Sequence, residues 1–227
     1  MSAEPLARCR GAARTYGRGA SATVALRPVD CEVAPRARIA IVGESGSGKS
    51  TLLHLLAGLD EPTGGEVSWP AIGARGDLRP GRVAVVFQGP ALMPALSVLE
   101  NVALPLVLGG EHAEDAECEA ARALERLGLA ELAAKLPEEI SGGQSQRAAV
   151  ARALAGRPRM ILADEPTGQL DSVAARAVVD VLLAAADHAG AALLVCTHDR
   201  AVAERFPERW DIHSGSVAIT TGAAWRA

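Results

Sequence analysis

Lysine is almost missing from this chain: of 23 Lys and Arg residues only Lys49 and Lys135 are lysine. Aromatic residues make up 3%, with a single tyrosine, and 27 Asp and Glu leave a net charge of -4. A mildly acidic chain so poor in aromatics lacks both the basic footprint and the stacking platform of a nucleic-acid binder. The preference for arginine goes with a general alanine bias, so each surviving lysine calls for its own reason. Cysteine is scarce too. Cys9, Cys31, Cys118 and Cys196 are far apart in sequence and form no CxxC, which argues against a metal site or a disulfide framework and fits a reduced, cytosolic compartment. No apolar stretch approaches the roughly 18 residues needed to span a bilayer. Residues 1–16 mix Glu4, Arg8, Arg10 and Arg14 with small residues and offer no signal-peptide core. Any membrane role is expected to come through a partner.

What is present is enough apolar material for a core: 49% of 227 residues are hydrophobic. This size suits one domain, or a domain carrying an inserted subdomain. Short apolar runs, 38–42, 83–87, 160–163 and 192–196, read as strands buried on both faces. Between them 172–189 has helical spacing, with Asp171 or Ser172 as cap and Gly190 as stop. Such alternation predicts an α/β domain with a mostly parallel sheet. From 97 to about 156 the pattern changes to three helical stretches, 98–108, 113–127 and 144–155, so an α-helical subdomain is expected to be inserted. The first 35 residues and the tail 208–220 read as peripheral β-hairpin material.

The strongest chemical signal is Gly43, Glu44, Ser45, Gly46, Ser47, Gly48, Lys49, Ser50, between a strand ending at Val42 and a helical run from Thr51 to Leu59. Its glycines let consecutive N–H groups curl around a polyphosphate, and the helix N-terminus adds a favourable dipole. Lys49 reaches the terminal phosphates and the Ser50 hydroxyl suits Mg²⁺. A flexible Gly/Ser loop is the bland alternative, but the strand before and helix after supply the context a phosphate loop needs. A buried strand ending in Asp164 and Glu165 would complete the site. Asp164 would hold Mg²⁺ through water and Glu165 would polarise an attacking water, unless the two acids merely cap the next helix or face solvent. A second anion-binding helix start, Ser141, Gly142, Gly143, Gln144, has no obvious use for the same nucleotide, so it is expected to serve a nucleotide on another copy.

With these pieces in this order the sequence resembles the ATP-binding cassette (ABC) ATPases over essentially its whole length. The resemblance implies a P-loop NTPase fold: a RecA-like core with a β subdomain over 1–88 and 156–227, and a helical signature subdomain over 89–155. It implies that Tyr16 stacks on adenine, that Gln88 senses Mg²⁺ and the γ-phosphate, and that Ser141 to Gln144 is the family signature, with Ile140 where leucine is commoner. Asp171 matches the D-loop and His198 the switch histidine.

The cofactors so implied are ATP and Mg²⁺, and the partners are a second ATPase subunit, as homodimer or heterodimer, and transmembrane permease subunits. The place implied is the inner face of the cell membrane, held there through the permease, with the segment Gly89 to Val107 as the gripping surface. The residues around Asp164 and Leu99 resemble the branch of lipoprotein-releasing, macrolide-efflux and antimicrobial-peptide exporters. From that branch it departs at Gln169, where asparagine is usual, and in a short stretch before Gln88. The implied activity is ATP hydrolysis driving an exporter, or alternatively an ATP-switched regulator of a membrane complex.

Overall fold

A computed structural model describes residues 3–89, 91–168 and 172–221; Pro90, Gln169 and Asp171 lie outside them. Along the chain come β1 (Ala7–Tyr16), β2 (Thr23–Val33), β3 (Arg38–Val42), α1 (Lys49–Leu56), β4 (Gly64–Ser68) and β5 (Val83–Val86). Three helices come next, α2 (Val98–Leu108), α3 (Ala113–Arg126) and α4 (Gly142–Ala155). The chain then returns through β6 (Met160–Asp164), α5 (Ser172–Ala189), β7 (Ala192–Thr197), the short α6 (Arg200–Ala203), β8 (Glu208–His213) and β9 (Ser216–Thr221).

The main sheet has six strands in the order β5-β6-β7-β3-β8-β9. All neighbours are parallel except the closing β8–β9 pair. Its inner strands are apolar on both faces because both faces are covered. On one side Ile39, Ile41, Leu162 and Leu194 pack with Leu52, Leu53 and Leu56 of α1 and with the smaller sheet. On the other, Ala40, Ile161, Leu193 and Val195 meet Val178, Val179 and Leu182 of α5. The smaller sheet, antiparallel in the order β2-β1-β4, shares no strand with the main one. The fold class is α/β, with a largely parallel sheet and a separate antiparallel one.

The tail corrects the expectation drawn from its sequence. It does form a hairpin, but its first strand is internal: β8 pairs in parallel with β3, and Trp210 is fully buried among core residues. Burying that indole and Ile212 draws the strand inward, which an alternating six-residue pattern at a chain end does not announce. Helix starts shift as well. α1 opens at Lys49 and α4 at Gly142, each two residues ahead of the sequence reading, because residues that look like loop are absorbed into the first turn.

α2, α3 and α4 pack around a core of their own, with Val98, Val102, Ala120, Leu124, Ala148 and Ala151 at its centre. Alanines on α3 and α4 let the helices approach closely. A capping box starts α2: Ser97 Oγ accepts from the Glu100 N–H at 3.2 Å, and the Ser97 N–H donates to Glu100 Oε2 at 2.7 Å. The buried Asn101 amide accepts from Met93 N at 2.7 Å and donates to the carbonyls of Met93, Leu96 and Ser97. The end of the segment leaving β5 is thereby fastened to α2.

Two cysteines far apart in sequence meet: Cys9 of β1 lies opposite Cys31 of β2, both buried and both free. The hydrogen bond with Cys9, together with burial, raises the Cys31 thiol pKa. Burial first, then the neighbouring Asp164 charge, raises that of Cys196. Only a thiolate reacts readily. In the native protein a thiol reagent is therefore expected to modify one cysteine promptly, the exposed Cys118, and all four after denaturation. Titration with DTNB checks this, and two or more fast thiols in the native state would contradict the burial.

Candidate functional site

The carboxyl ends of β3, β6 and β7 lie side by side, since Val42 pairs with Thr197 and Asp164 with Cys196. The segments leaving these strands therefore converge: the glycine loop after β3, Glu165 after Asp164, His198 after Thr197. Ligands of open α/β sheets bind outside such ends.

Local crowding dictates the glycines of the loop. A Cβ at Gly43 would stand 2.3 Å from the Ile212 carbonyl oxygen. One at Gly48, where φ is +111°, would stand 2.3 Å from the Ala25 carbonyl oxygen. Packing this close against β8 and β2 leaves no room for a side chain. Gly46 also takes positive φ, +77°. The loop opens into a cleft of about 270 Å³ lined by Ser45, Gly46, Gly48, Lys49, Ser50, Thr51, Gln88, Asp164 and Glu165, with Ala25 at its edge.

The Lys49 side chain is only 4% exposed. Its Nζ donates to the carbonyl oxygens of Gly43 at 2.9 Å and Glu44 at 3.0 Å, and lies 3.1 Å from Glu165 Oε1. A cation this buried requires such partners. The other oxygen of Glu165, Oε2, is 2.8 Å from His198 Nδ1. Glu165 itself stands at φ +44°, an uncommon conformation for a residue with a side chain. Its N–H donates to the Cys196 carbonyl at 3.1 Å and its carbonyl accepts from the Gly168 N–H at 3.1 Å. Backbone strain of this kind concentrates at functional sites. Gly168 also approaches Gln88, whose Nε2 would lie 3.2 Å from a Cβ there.

Ser50 Oγ donates to Asp164 Oδ1 at 3.0 Å. Hydroxyl, carboxylate and the Gln88 amide form a hard oxygen set of the sort Mg²⁺ prefers. Two carboxylates against one ammonium also leave the cleft in need of positive charge. These residues fit the ion. One turn beyond Ser50, His54 has its Nε2 3.8 Å from Asp164 Oδ2, buried and without a hydrogen-bond partner, as is the Ser47 hydroxyl.

Ser141, Gly142, Gly143 and Gln144 do not line this cleft. They form the start of α4, where Ser141 Oγ accepts from the Gln144 N–H at 3.3 Å and Gln144 Oε1 accepts from the Ser141 N–H at 2.8 Å. The N–H groups of Gly142 and Gly143, in the first turn, point beyond the helix. Further along α4, Gln146 Nε2 donates to the Phe87 carbonyl at 3.4 Å, linking this helix to the segment that carries Gln88.

Tyr16, at the end of β1, does not line the cleft either. It lies across from Thr23, two residues before Ala25 on β2. Its hydroxyl donates to Asp60 Oδ2 at 2.8 Å, and the Arg14 guanidinium lies over its ring, 4.6 Å from the centroid. Burial works against ionisation of Asp60, but hydrogen bonds from Tyr16 and the Glu61 N–H, with Arg14, outweigh it and hold the carboxyl below its ordinary range. Sequence reasoning missed Ala25, Arg14, Asp60 and His54. For His54 a signal existed, four residues after Ser50 on one helical face; for Ala25 and Asp60 there was none, because their places depend on strand pairing and a loop after α1.

Comparison with known proteins identifies the family. The family model described as ABC transporter matches residues 26–168. The lipoprotein-releasing system ATP-binding protein LolD of Legionella pneumophila (strain Paris) is 44% identical over 211 residues, 90% of this chain and 93% of the relative. LolD of Pseudomonas fluorescens is 40% identical over 223 residues, 95% and 98% of the two chains. A dimeric ATP-binding cassette solved in a post-hydrolysis state with ADP and Pi superposes with a TM-score of 0.84 at 34% identity, over 95% of this chain and 98% of that one. No helix among the described residues is long and apolar enough to cross a membrane. The chain belongs to the ABC transporter family, as the ATP-binding and ATP-hydrolysing subunit of a transporter.

Proposed function

We propose that this ATPase drives a membrane permease that exports lipoproteins, and that two copies close on ATP to do so. The observation that carries the reading is the separation of the two anion-binding helix starts: one faces the cleft and the other, at Ser141, lies outside it. Each copy then holds ATP on its own phosphate loop and covers the partner's nucleotide with Ser141, Gly142, Gly143 and Gln144, assisted by Asp171. The names of the relatives support lipoprotein release as the task.

In this reading the loop from Gly43 to Thr51 wraps the phosphates with its N–H groups, and Tyr16 stacks on the adenine. The Lys49 ammonium turns from Glu165 to the terminal phosphates. Glu165, released, takes a proton from the attacking water, while His198 holds its carboxylate and contacts the γ-phosphate. Ser50, Asp164 and Gln88 would hold Mg²⁺, which supplies neutralisation of the charge on the β- and γ-phosphate oxygens. Products are ADP and phosphate, and catalysis is chiefly positioning and electrostatics. Loss of the γ-phosphate removes the bridge between copies, and the dimer opens.

We place the permease contact on the groove between β5 and the second half of α2. This groove of about 460 Å³ is lined by Arg79, Pro80, Val83, Val85, Leu104 and Leu108. Leu108 is 72% exposed, more than an unpartnered apolar side chain warrants within such a patch. The helical segment 89–155 would pass this contact to the cleft through Gln146 and the Phe87 carbonyl.

Three outcomes are expected. Glu165→Gln retains ATP affinity, slows turnover at least about a hundredfold and elutes as a dimer in ATP on size exclusion. Parent-like hydrolysis or a strictly monomeric variant would refute the scheme. Lys49→Ala loses most ATP affinity, and an unchanged calorimetric Kd would remove the phosphate-loop assignment. Leu108→Asp keeps the ATPase rate of the isolated subunit but lowers permease-stimulated hydrolysis several-fold in proteoliposomes; full stimulation would move the docking surface elsewhere.

A further inference from the structure

Around Tyr16 the side chains close into a ring of contacts. Arg14 Nε and the Tyr16 hydroxyl both donate to Asp60 Oδ2, at 2.9 and 2.8 Å. A terminal Arg14 nitrogen reaches Asp60 Oδ1 at 2.7 Å, so the guanidinium grips the carboxylate with two bonds. The same guanidinium lies over the tyrosine ring. Asp60 is itself fixed, since Oδ1 accepts from the Glu61 N–H at 2.7 Å and its own N–H donates to the His54 carbonyl at 3.3 Å. Thr63 adds a brace, its hydroxyl accepting from the Thr15 N–H at 3.1 Å.

Asp60 comes four residues after the end of α1, and the phosphate loop leads into the start of that helix. A short rigid element therefore separates the phosphate end of the cleft from the anchor of the tyrosine. A ring free to rotate about χ1 and χ2 would lose that freedom on binding a base, whereas one already held loses little. Arg14 also occupies one face of the ring, while Tyr16 as a whole stays 40% exposed.

We infer that Arg14 and Asp60 are positioning residues that hold Tyr16 as a one-sided platform at a fixed distance from the phosphate loop, so that nucleotide affinity depends on a pair that touches no nucleotide. This rests on the proposed stacking of Tyr16 on the base.

Because Tyr16 is the only tyrosine, 3-fluorotyrosine incorporation gives the full-length protein a single ring ¹⁹F resonance. In the parent, ATP is expected to shift this resonance, and inorganic tripolyphosphate, which lacks a base, to shift it much less. Arg14→Ala and Asp60→Asn should each raise KM for ATP about three- to tenfold, from loss of a partly exposed cation–π contact and its pre-organisation. Their kcat should stay within about twofold and their tripolyphosphate affinity should hold. The free-state resonance should move toward that of unfolded tyrosine. Arg14→Lys, which keeps the cation without the planar fork, should fall between.

If Arg14→Ala folds, shown by an unchanged melting temperature for the Arg14→Lys and Arg14→Ala pair, and leaves both KM and the resonance at parent values while Tyr16→Ala raises KM, the positioning role is refuted and the stacking survives. If Tyr16→Ala also leaves KM unchanged, the stacking itself is wrong and the inference goes with it. A fall in kcat and tripolyphosphate affinity along with ATP affinity marks a general structural role and likewise overturns it.

Discussion

A buried ammonium organises this protein. Lys49 is sunk among two loop carbonyls and a glutamate carboxylate, and an unpaired charge at that depth would cost several kcal/mol. Gly43 and Glu44 precede the lysine by a few residues after β3, but Glu165 comes from far along the chain after β6, and the two segments are adjacent only because β7 lies between those strands in strict parallel register. The sheet order and the site are thus one constraint. In the proposed cycle the lysine exchanges one anion for another: phosphate replaces Glu165, and the carboxylate set free is the one placed to accept a proton. In that cycle, holding the base on the lysine until substrate arrives pairs one of the two carboxylate charges and limits the need to bury an isolated carboxylate.

How much of this was legible in the sequence depends on how local the causes are. The phosphate loop could be read because its glycines, lysine and serine act within eight consecutive residues, and the helix after it needs them in that order. β3, β6 and β7 could be read because burial on both faces removes polar residues from the run. α2 could be read to the residue at both ends because Ser97 and Glu100 write a capping box at its start and Gly109 follows its last residue. By contrast β4, poor in apolar residues and rich in glycine, carries no strand signal; it exists because β1 offers it an edge. The inward placement of β8 depends on a pocket for Trp210 built by residues from both ends of the chain. The site residues missed belong to this second kind. Ala25 matters for its backbone, which crowds Gly48, and Asp60 for where a loop after α1 returns it, beneath a tyrosine more than forty residues earlier.

The helical segment meets the core in two ways, through Val150 and Leu154 of α4 packed among Val86, Ile161, Val178 and Val179 and through hydrogen bonds to the segment after β5, and the second kind bears on how nucleotide and permease would communicate. Most of its apolar residues pack in a core of its own, built mainly from α2, α3 and α4. Leu92 of the segment after β5 packs against this core, and hydrogen bonds add to it: Asn101 fastens Met93, Arg152 donates to the Ala91 carbonyl at 2.8 Å, and Gln146 reaches the Phe87 carbonyl at a long 3.4 Å. Hydrogen bonds of that length exchange for water or for a neighbouring carbonyl at little net cost, about 1 kcal/mol or less. Packed apolar cores do not shift so freely. The exchangeable contacts lie beside Gln88, which lines the cleft, whereas the apolar seat of α4 against β5, β6 and α5 holds the helical unit at the sheet. A change in what Gln88 binds would then be felt first where the joint is weakest, and the groove under Leu104 and Leu108, lined by β5 and the residues before it, by α2 and by the end of α4, spans that same joint. A partner seated there grips both bodies at once, so its equilibrium position would depend on the angle between them. By reciprocity of linkage its binding would in turn bias the cleft.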